Sequence, residues 1–254
     1  MARKLNVQAG VPGLNRNDAY EIQIPLPALP IQEEIVAEID SYQKIIDGAR
    51  MVVENYKPRI DIDPEWEMVE ISDIAEINRE TINPSKVFDD WFRYVDISSV
   101  ENGTGVVSFD NIVKVAEAPS RARRVVKKDD ILLSTVRPNL QAHAYLGYLP
   151  EKVIASTGFA VLTCKTGIFS RYLFYMLFDE SVQAQMSARM GKGSYPSINE
   201  KDVSEIKIPL PPIEKQKEIV SYLKKEEEAI AINKELIESF EKKIIVRIAK
   251  VWGE

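Results

Sequence analysis

One stretch of this chain occurs twice. Glu21-Ile22-Gln23-Ile24-Pro25-Leu26-Pro27 returns 184 residues later as Glu205-Ile206-Lys207-Ile208-Pro209-Leu210-Pro211, and ten of the sixteen positions 21–36 match their counterparts. Gln32, Glu34, Ile35 and Val36 meet Gln216, Glu218, Ile219 and Val220, and further upstream Pro12, Asn15 and Asp18 meet Pro196, Asn199 and Asp202. A chain that repeats a junction must solve the same folding problem twice. Each copy alternates apolar and polar residues as a short strand does, is stopped by prolines, and then takes up a long helical pattern.

The helical patterns share one phase. Ile35, Ile39, Tyr42, Ile46, Ala49, Val53 and Tyr56 are spaced four and three alternately, and so are Ile219, Leu223, Glu226, Ile230, Asn233, Ile237, Phe240 and Ile244. That is the heptad seam of a coiled coil, with Glu226 and Asn233 as polar interruptions. A single seam fits an ordinary amphipathic helix packed on a domain, whereas two matched seams favour a helix pair wound on each other. At about 1.5 Å per residue, helices of about 28 and 39 residues are roughly 42 and 58 Å long.

Between them, residues 61–212 read as one globular α+β unit with a mostly antiparallel, curved sheet. Trp66–Ala75 alternates as a strand and then turns into a short helix that Ser72 or Asp73 would cap. Strand-like runs follow at Phe92–Ile97, Asp130–Val136 and Gly158–Cys164, then helical stretches near 169–178 and 180–190. The organisation expected is a tail of an incomplete domain over 1–30, a first long helix over 31–60, the globular unit over 61–212 and a second long helix over 213–254. Because 1–30 match the end of the globular unit, the chain is expected to be a truncated or half-length form of a two-unit protein.

Composition excludes several classes. Among 254 residues there is one cysteine, Cys164, and one histidine, His143, too few for a disulfide framework or a zinc site of N and S ligands. No apolar run is long enough to cross a membrane and the start lacks a signal peptide's apolar stretch, so a cytoplasmic protein with no membrane association is expected.

In layout, globular unit and long helix in turn, with Ile208-Pro209-Leu210-Pro211-Pro212-Ile213-Glu214 followed by Gln216, Ile219 and Val220 at the junction, the chain resembles the DNA-specificity (S) subunit of type I restriction-modification enzymes. Residues 25–36 repeat the pattern with Ala28 and Pro30 as departures. Trp66–Ile74, Tyr94-Val95-Asp96-Ile97, Asp130–Ser134 with Arg137, and Ala155–Phe159 resemble that family's target-recognition domain. The resemblance implies a non-catalytic subunit. One recognition domain reads half of a bipartite double-stranded DNA site, an antiparallel coiled coil sets the gap, and methyltransferase (M) and restriction (R) subunits are the partners. The usual member has two recognition domains, so a homodimer or a second specificity chain would supply the other.

Charge segregation fits a nucleic-acid partner better than the net charge of −6 does. Residues 61–90 carry ten acids and two bases, whereas residues 120–150 carry six bases, Arg121, Arg123, Arg124, Lys127, Lys128 and Arg137, against Asp129 and Asp130. Arg121, Arg123, Arg124 and Lys127 are candidate phosphate contacts; the alternative is a solvated loop. Ser134 ends the strand before Arg137-Pro138-Asn139-Leu140-Gln141, and Arg137, Asn139 and Gln141 have the donors and acceptors that read guanine or adenine edges in the major groove. Equally, Arg137 would pair with a carboxylate and Asn139 would shape a turn. Lys192, Ser194 and Tyr195, in a glycine-flanked loop, complete the candidate DNA contacts, with a helix cap and turn as the alternative.

Nothing marks a catalytic residue, metal site or cofactor. His143 lies in an alternating strand as a structural residue would, Cys164 ends an apolar strand, and no nucleophile stands beside a base. The competing reading is a coiled-coil protein-interaction module without DNA specificity; a nuclease is the weakest.

Overall fold

The computed structural model describes residues 20, 23–56, 58–191 and 196–253. The chain divides into two compact units, Met1–Tyr56 with Glu227–Glu254, and Lys57–Glu226.

In the unit Lys57–Glu226, which follows the long helix α1 (Leu29–Asn55) in the chain, β1 (Glu67–Glu70) leads into α2 (Ile71–Ile74) and β2 (Ala75–Ile77). The cap of α2 differs from the expected Ser72 or Asp73. Glu70 is the N-cap residue, and Asp73 reaches back from the third helical position so that its carboxylate accepts the Glu70 N–H at 3.2 Å. There follow β3 (Trp91–Val95), β4 (Ile112–Lys114), β5 (Ala122–Val125), β6 (Ile131–Ser134), β7 (Ala144–Tyr145), β8 (Val153–Ser156) and β9 (Phe159–Cys164). Helices α3 (Ser170–Met176), α4 (Glu180–Arg189) and α5 (Glu200–Ser204) precede β10 (Lys207–Leu210), and α6 (Ile213–Trp252) begins here and ends in the other unit.

The strands form three sheets. β1 and β10 pair antiparallel, a second sheet has the order β2-β9-β6-β7, and a third has the order β4-β3-β8-β5, in which β3 and β8 run parallel and the other pairs antiparallel. The second sheet is covered on both faces. Ile131, Leu133, Ala160 and Leu162 pack with Tyr172, Met176, Val182 and Leu223, while Leu132, Phe159 and Val161 pack with Val95, Val153 and Ala155 of the third sheet. Burial on both faces is why Ile131-Leu132-Leu133 is a continuous apolar run rather than an alternating one. The outer face of the third sheet, Phe92, Tyr94 and Ile154, is covered by Ile82, Phe88 and Val115.

The second copy of the repeat is built into this core. Ile208 is fully buried in β10, and Gln216 in the first turn of α6 is fully buried as well. Its carboxamide oxygen accepts the Phe169 N–H at 2.8 Å, and its nitrogen donates to the carbonyls of Gly167 at 3.1 Å and Pro211 at 2.9 Å. The first copy keeps one of these bonds, Gln32 Nε2 donating to the Pro27 carbonyl at 2.6 Å. The strand expected at Ile22, Ile24 and Leu26 is not formed within Gln23–Pro27, where Ile24 and Leu26 are 67% and 79% exposed. A strand needs a partner, and β10 has β1, whereas Gln23–Pro27 pairs with no strand among the described residues.

In the other unit, α1 (Leu29–Asn55, 27 residues) pairs with the second half of α6, which is 40 residues long in all. Tyr42 and Phe240 meet with ring centroids 5.3 Å apart, Arg247 Nε donates to Glu38 at 2.7 Å, and Arg50 donates to Glu241 at 3.2 Å, so the helices are antiparallel. Ile46 and Ala49 are buried, Ile35, Ile39 and Val53 partly so, and on α6 Ile230, Asn233, Ile237, Phe240 and Ile244 are shielded in the same heptad phase. Of the expected seam, Ile219 and Leu223 differ in partner: both pack in the core of the globular unit. One heptad beyond Tyr42 and Phe240, the register sets Ala49 opposite Asn233, whose amide donates to the Ala229 carbonyl at 2.8 Å.

An apolar stripe beside the seam is left uncovered. Ile31, Ile45 and Val52 on α1 share one heptad position with Glu38, and Ile232 on α6 shares one with Val246; all five hydrophobics are exposed. Glu38 and Val246 line a single groove of about 330 Å³ together with Tyr42, Lys243, Arg247 and Lys250. Both stripes therefore flank the same side of the helix pair.

The two glutamines make a test of the packing. Gln216→Leu leaves the Phe169 N–H and the Gly167 carbonyl buried without partners and is expected to cost about 3 kcal/mol in urea unfolding, while Gln32→Leu costs less than about 1 kcal/mol.

Candidate nucleic-acid interface

The basic stretch is a strand with an irregularity. In the β5 and β8 pairing, Ala122 faces Ser156 and Arg124 already faces Ala155, so Arg123 is an extra residue in a bulge. The bulge breaks alternation, and Arg123 and Arg124 are both half-exposed in succession. Arg123 Nε donates to the Ser120 carbonyl at 3.0 Å, a bond that uses one of the five N–H donors of its guanidinium. Arg124 is more deeply set: one terminal nitrogen donates to Thr81 Oγ1 at 3.3 Å, its Nε is buried without a hydrogen bond, and burial holds its pKa below the usual arginine value.

Two connections bring Arg121 and Arg137 to one end of the unit. The turn between β8 and β9 donates Thr157 N–H to the Arg121 carbonyl at 2.9 Å, and its Gly158 carbonyl accepts the Thr135 N–H at 2.9 Å and the Thr135 hydroxyl at 2.8 Å. Arg121 and Arg137 are exposed. Lys127 is exposed too, but it lies beyond the far end of β5, about 13 Å of strand away at 3.3 Å per residue. The run of bases in the sequence is thus divided between the two ends of a strand. Asp130, counted against the bases in the sequence, faces inward: it is buried, accepts the Lys127 N–H at 2.7 Å and the Thr163 hydroxyl at 2.8 Å, and burial raises its pKa.

The loop after β6 is held in an unusual backbone shape. Arg137 and Gln141 have φ of 48° and 56°, left-handed values uncommon for residues with side chains, and they bracket the one-turn 3₁₀ helix Pro138–Leu140. Pro138 is buried, Asn139 and Leu140 are exposed, and Gln141 is half-buried. The Arg137 N–H donates to the Pro196 carbonyl at 2.8 Å, and Val136 bridges Ser197. Residues some 60 positions apart are thereby joined. Lys192, Ser194 and Tyr195 lie outside the described residues.

Ser134, expected among the DNA contacts, is not accessible. It is fully buried and its hydroxyl donates to the Val136 carbonyl at 2.8 Å, so it shapes the exit of β6 and does not face a ligand. The continuous burial of β6 reaches to its last residue. A further loop, Glu101–Val106, adjoins the Arg137–Gln141 loop through a Gly103 N–H to the Gln141 carbonyl at 3.0 Å, a neighbour to which nothing in the local sequence points.

Among the described residues no three His, Cys, Asp or Glu side chains are grouped to hold a metal ion, and no helix is long and apolar enough to cross a membrane. The Cys164 thiol is pushed up to about 11 by burial, which makes it a poor nucleophile.

Residues 64–242 match the type I restriction modification DNA specificity domain. The chain belongs to this family. It is 24% identical to the specificity subunit of type I restriction enzyme MjaVIII from Methanocaldococcus jannaschii over 93% of this chain and 63% of that protein. The HindI specificity subunit of Haemophilus influenzae is also 24% identical, over 67% of this chain and 34% of its own length. The crystal structure of the HsdS subunit from Thermoanaerobacter tengcongensis covers 72% of this chain with a TM-score of 0.61 and 28% identity, and 47% of that subunit is matched. The chain spans less than two thirds of the length of these relatives.

In this specificity-family chain the histidine supports the loop from behind. His143 is fully buried, its Nδ1 accepts the Ser134 N–H at 3.1 Å, and its ring stands edge-on to Phe178 with centroids 5.6 Å apart. Burial pushes its pKa down to about 3. The folded state therefore takes up this proton less readily than the unfolded chain, whose histidine titrates near ~6.5. Its contribution to stability is complete above that value and declines as pH falls toward about 3. Between pH 7.5 and 5, urea unfolding is expected to lose about 2 kcal/mol, a loss absent in His143→Phe, whose stability is lower throughout because the Ser134 N–H is left unpaired.

Proposed function

We propose that this chain supplies DNA specificity to a type I restriction-modification complex. The observation that carries the reading is the joining of Arg121 and the strained Arg137–Gln141 loop at one end of a domain of this family. Exposed, donor-rich side chains on a backbone held by main-chain hydrogen bonds suit a rigid reading surface. Arg137 and Asn139 contact base edges in the major groove of one half of a bipartite site, with Gln141 behind them, and Arg121, Arg123 and Lys127 neutralise phosphates. Arg124, pinned by Thr81, acts on phosphate through its field more than by direct contact.

The chain itself performs no chemistry in this scheme; methyl transfer and cleavage belong to M and R subunits. The helix pair separates the half-sites and docks the methyltransferase. Helices of roughly 40 and 60 Å are long enough to span one DNA turn of about 34–36 Å. The apolar stripe of Ile31, Ile45, Val52 and Ile232 is the docking face, since exposed hydrophobics at heptad spacing fit a partner helix. Residues 12–36 repeat the end of the globular unit and its junction to the long helix, and the other half of the bipartite site is read by a second recognition domain of the same kind. The protein acts in the cytoplasm, where its DNA is.

Selection of duplexes from a randomised library, by the chain produced with a methyltransferase subunit, tests the reading. Arg137→Ala is expected to relax preference at one base pair by about 1–3 kcal/mol, whereas Arg123→Ala weakens all sequences alike and lowers the salt slope by about one. Uniform loss in both variants would remove Arg137 from the base-reading set. For the docking face, Ile45→Asp should abolish co-purification of the methyltransferase while leaving helicity by circular dichroism unchanged.

A further inference from the structure

The turn Glu101–Val106 is fully made without its own asparagine. Val100 bridges Val107, the Glu101 N–H donates to the Val106 carbonyl at 2.9 Å, and Thr104 Oγ1 donates to the Glu101 carbonyl at 3.3 Å and accepts the Val106 N–H at 3.2 Å. Gly103 and Gly105 both have φ of 76°. A Cβ at Gly105 would lie 2.4 Å from the ring tip of Phe174, so the turn sits directly on the core. With the Gly103 N–H bonded to the Gln141 carbonyl at 3.0 Å, this turn and the Arg137–Gln141 loop form one rigid tip.

In an Asn-Gly turn the asparagine side chain ordinarily bonds the backbone two residues on and so helps to make the turn. Here Asn102 is exposed and its carboxamide has no hydrogen-bond partner among the described residues. The fold does not use it. Asn139, on the adjoining loop, is in the same condition. Two unengaged carboxamides thus stand on neighbouring loops of one tip. The exposed carboxylate of Glu101 keeps this turn away from phosphates, yet a carboxylate is compatible with a base edge, where it accepts from a cytosine amino group.

From this juxtaposition we infer that Glu101–Val106 is a second base-reading loop, with Asn102 contacting a base edge at a position other than the one read by Arg137. The inference rests on the DNA-specificity reading above and adds a specificity residue to it. A base-pair preference carried by an asparagine is that of two parallel bonds to adenine N6 and N7.

The experiment is the same randomised-duplex selection, run with the full chain and its methyltransferase partner for wild type, Arg137→Ala, Asn102→Ala and Asn102→Asp, each with a thermal melt. Asn102→Ala is expected to reduce preference about tenfold at one base pair, distinct from that relaxed by Arg137→Ala, with the melt unchanged. Asn102→Asp should lose the same preference, since the carboxylate has no amide donor. If Arg137→Ala relaxes one position while both Asn102 variants keep the wild-type profile, the second loop is not a reader and the DNA reading stands. A lowered melting temperature in Asn102→Ala would make the residue structural and overturn the inference. A wild-type chain that selects no sequence overturns the DNA reading and this inference with it.

Discussion

A single buried carboxamide sets the phase of the long helix. Gln216 ties the first turn of α6 to the Gly167–Phe169 loop and to Pro211, and from that fixed start the same heptad face first buries Ile219 and Leu223 in the globular core and later presents Ile237 and Phe240 to α1. Slipping the helix start by one residue would rotate every later side chain by about 100°. Ile219 and Leu223 would leave the globular core. The cost of an unsatisfied buried amide, about 1–3 kcal/mol for each orphaned group, makes such slippage unfavourable.

The placement of the candidate surface follows from the layering. Because the sheet β2-β9-β6-β7 is covered on both faces, its strands have no exposed face on which to carry ligand contacts, and chemistry is displaced to strand ends and connecting loops. Thr135, Gly158, Arg121 and Pro196 supply the main-chain links that hold those loops. His143 and Ser134, both buried polar groups, satisfy each other directly beneath the exit of β6, so the apolar core reaches its polar rim without leaving the Ser134 N–H unpaired.

Features with a short period were legible in the sequence. The seam through Ile35, Ile39, Tyr42, Ile46 and Val53 was readable because four-and-three spacing has one structural solution, and the strands at Ile131–Ser134 and Phe159–Cys164 because short apolar runs of three and four residues bounded by polar ones fit a strand buried on both faces. Features decided by distant partners were not. Ser134 looks like an accessible residue next to Arg137, and only packing of two layers buries it. Ile24 and Ile208 occupy equivalent places in a repeat, yet one is exposed and the other fully buried, because only the second meets a β1. The bulge at Arg123 and the pairing of the Gly103 turn with Gln141 leave no local signature, as each depends on a chain segment dozens of residues away.

The tip loops keep their shape through backbone hydrogen bonds and through glycines at 103 and 105, while the side chains of Asn102 and Asn139 are exposed and make no hydrogen bond among the described residues. Such an arrangement separates what must be conserved from what is free to vary. Substitutions at these two positions cost the fold little, so under the proposed DNA reading a lineage carrying this domain would be able to drift from one recognition sequence to another by single steps, each intermediate remaining a folded protein.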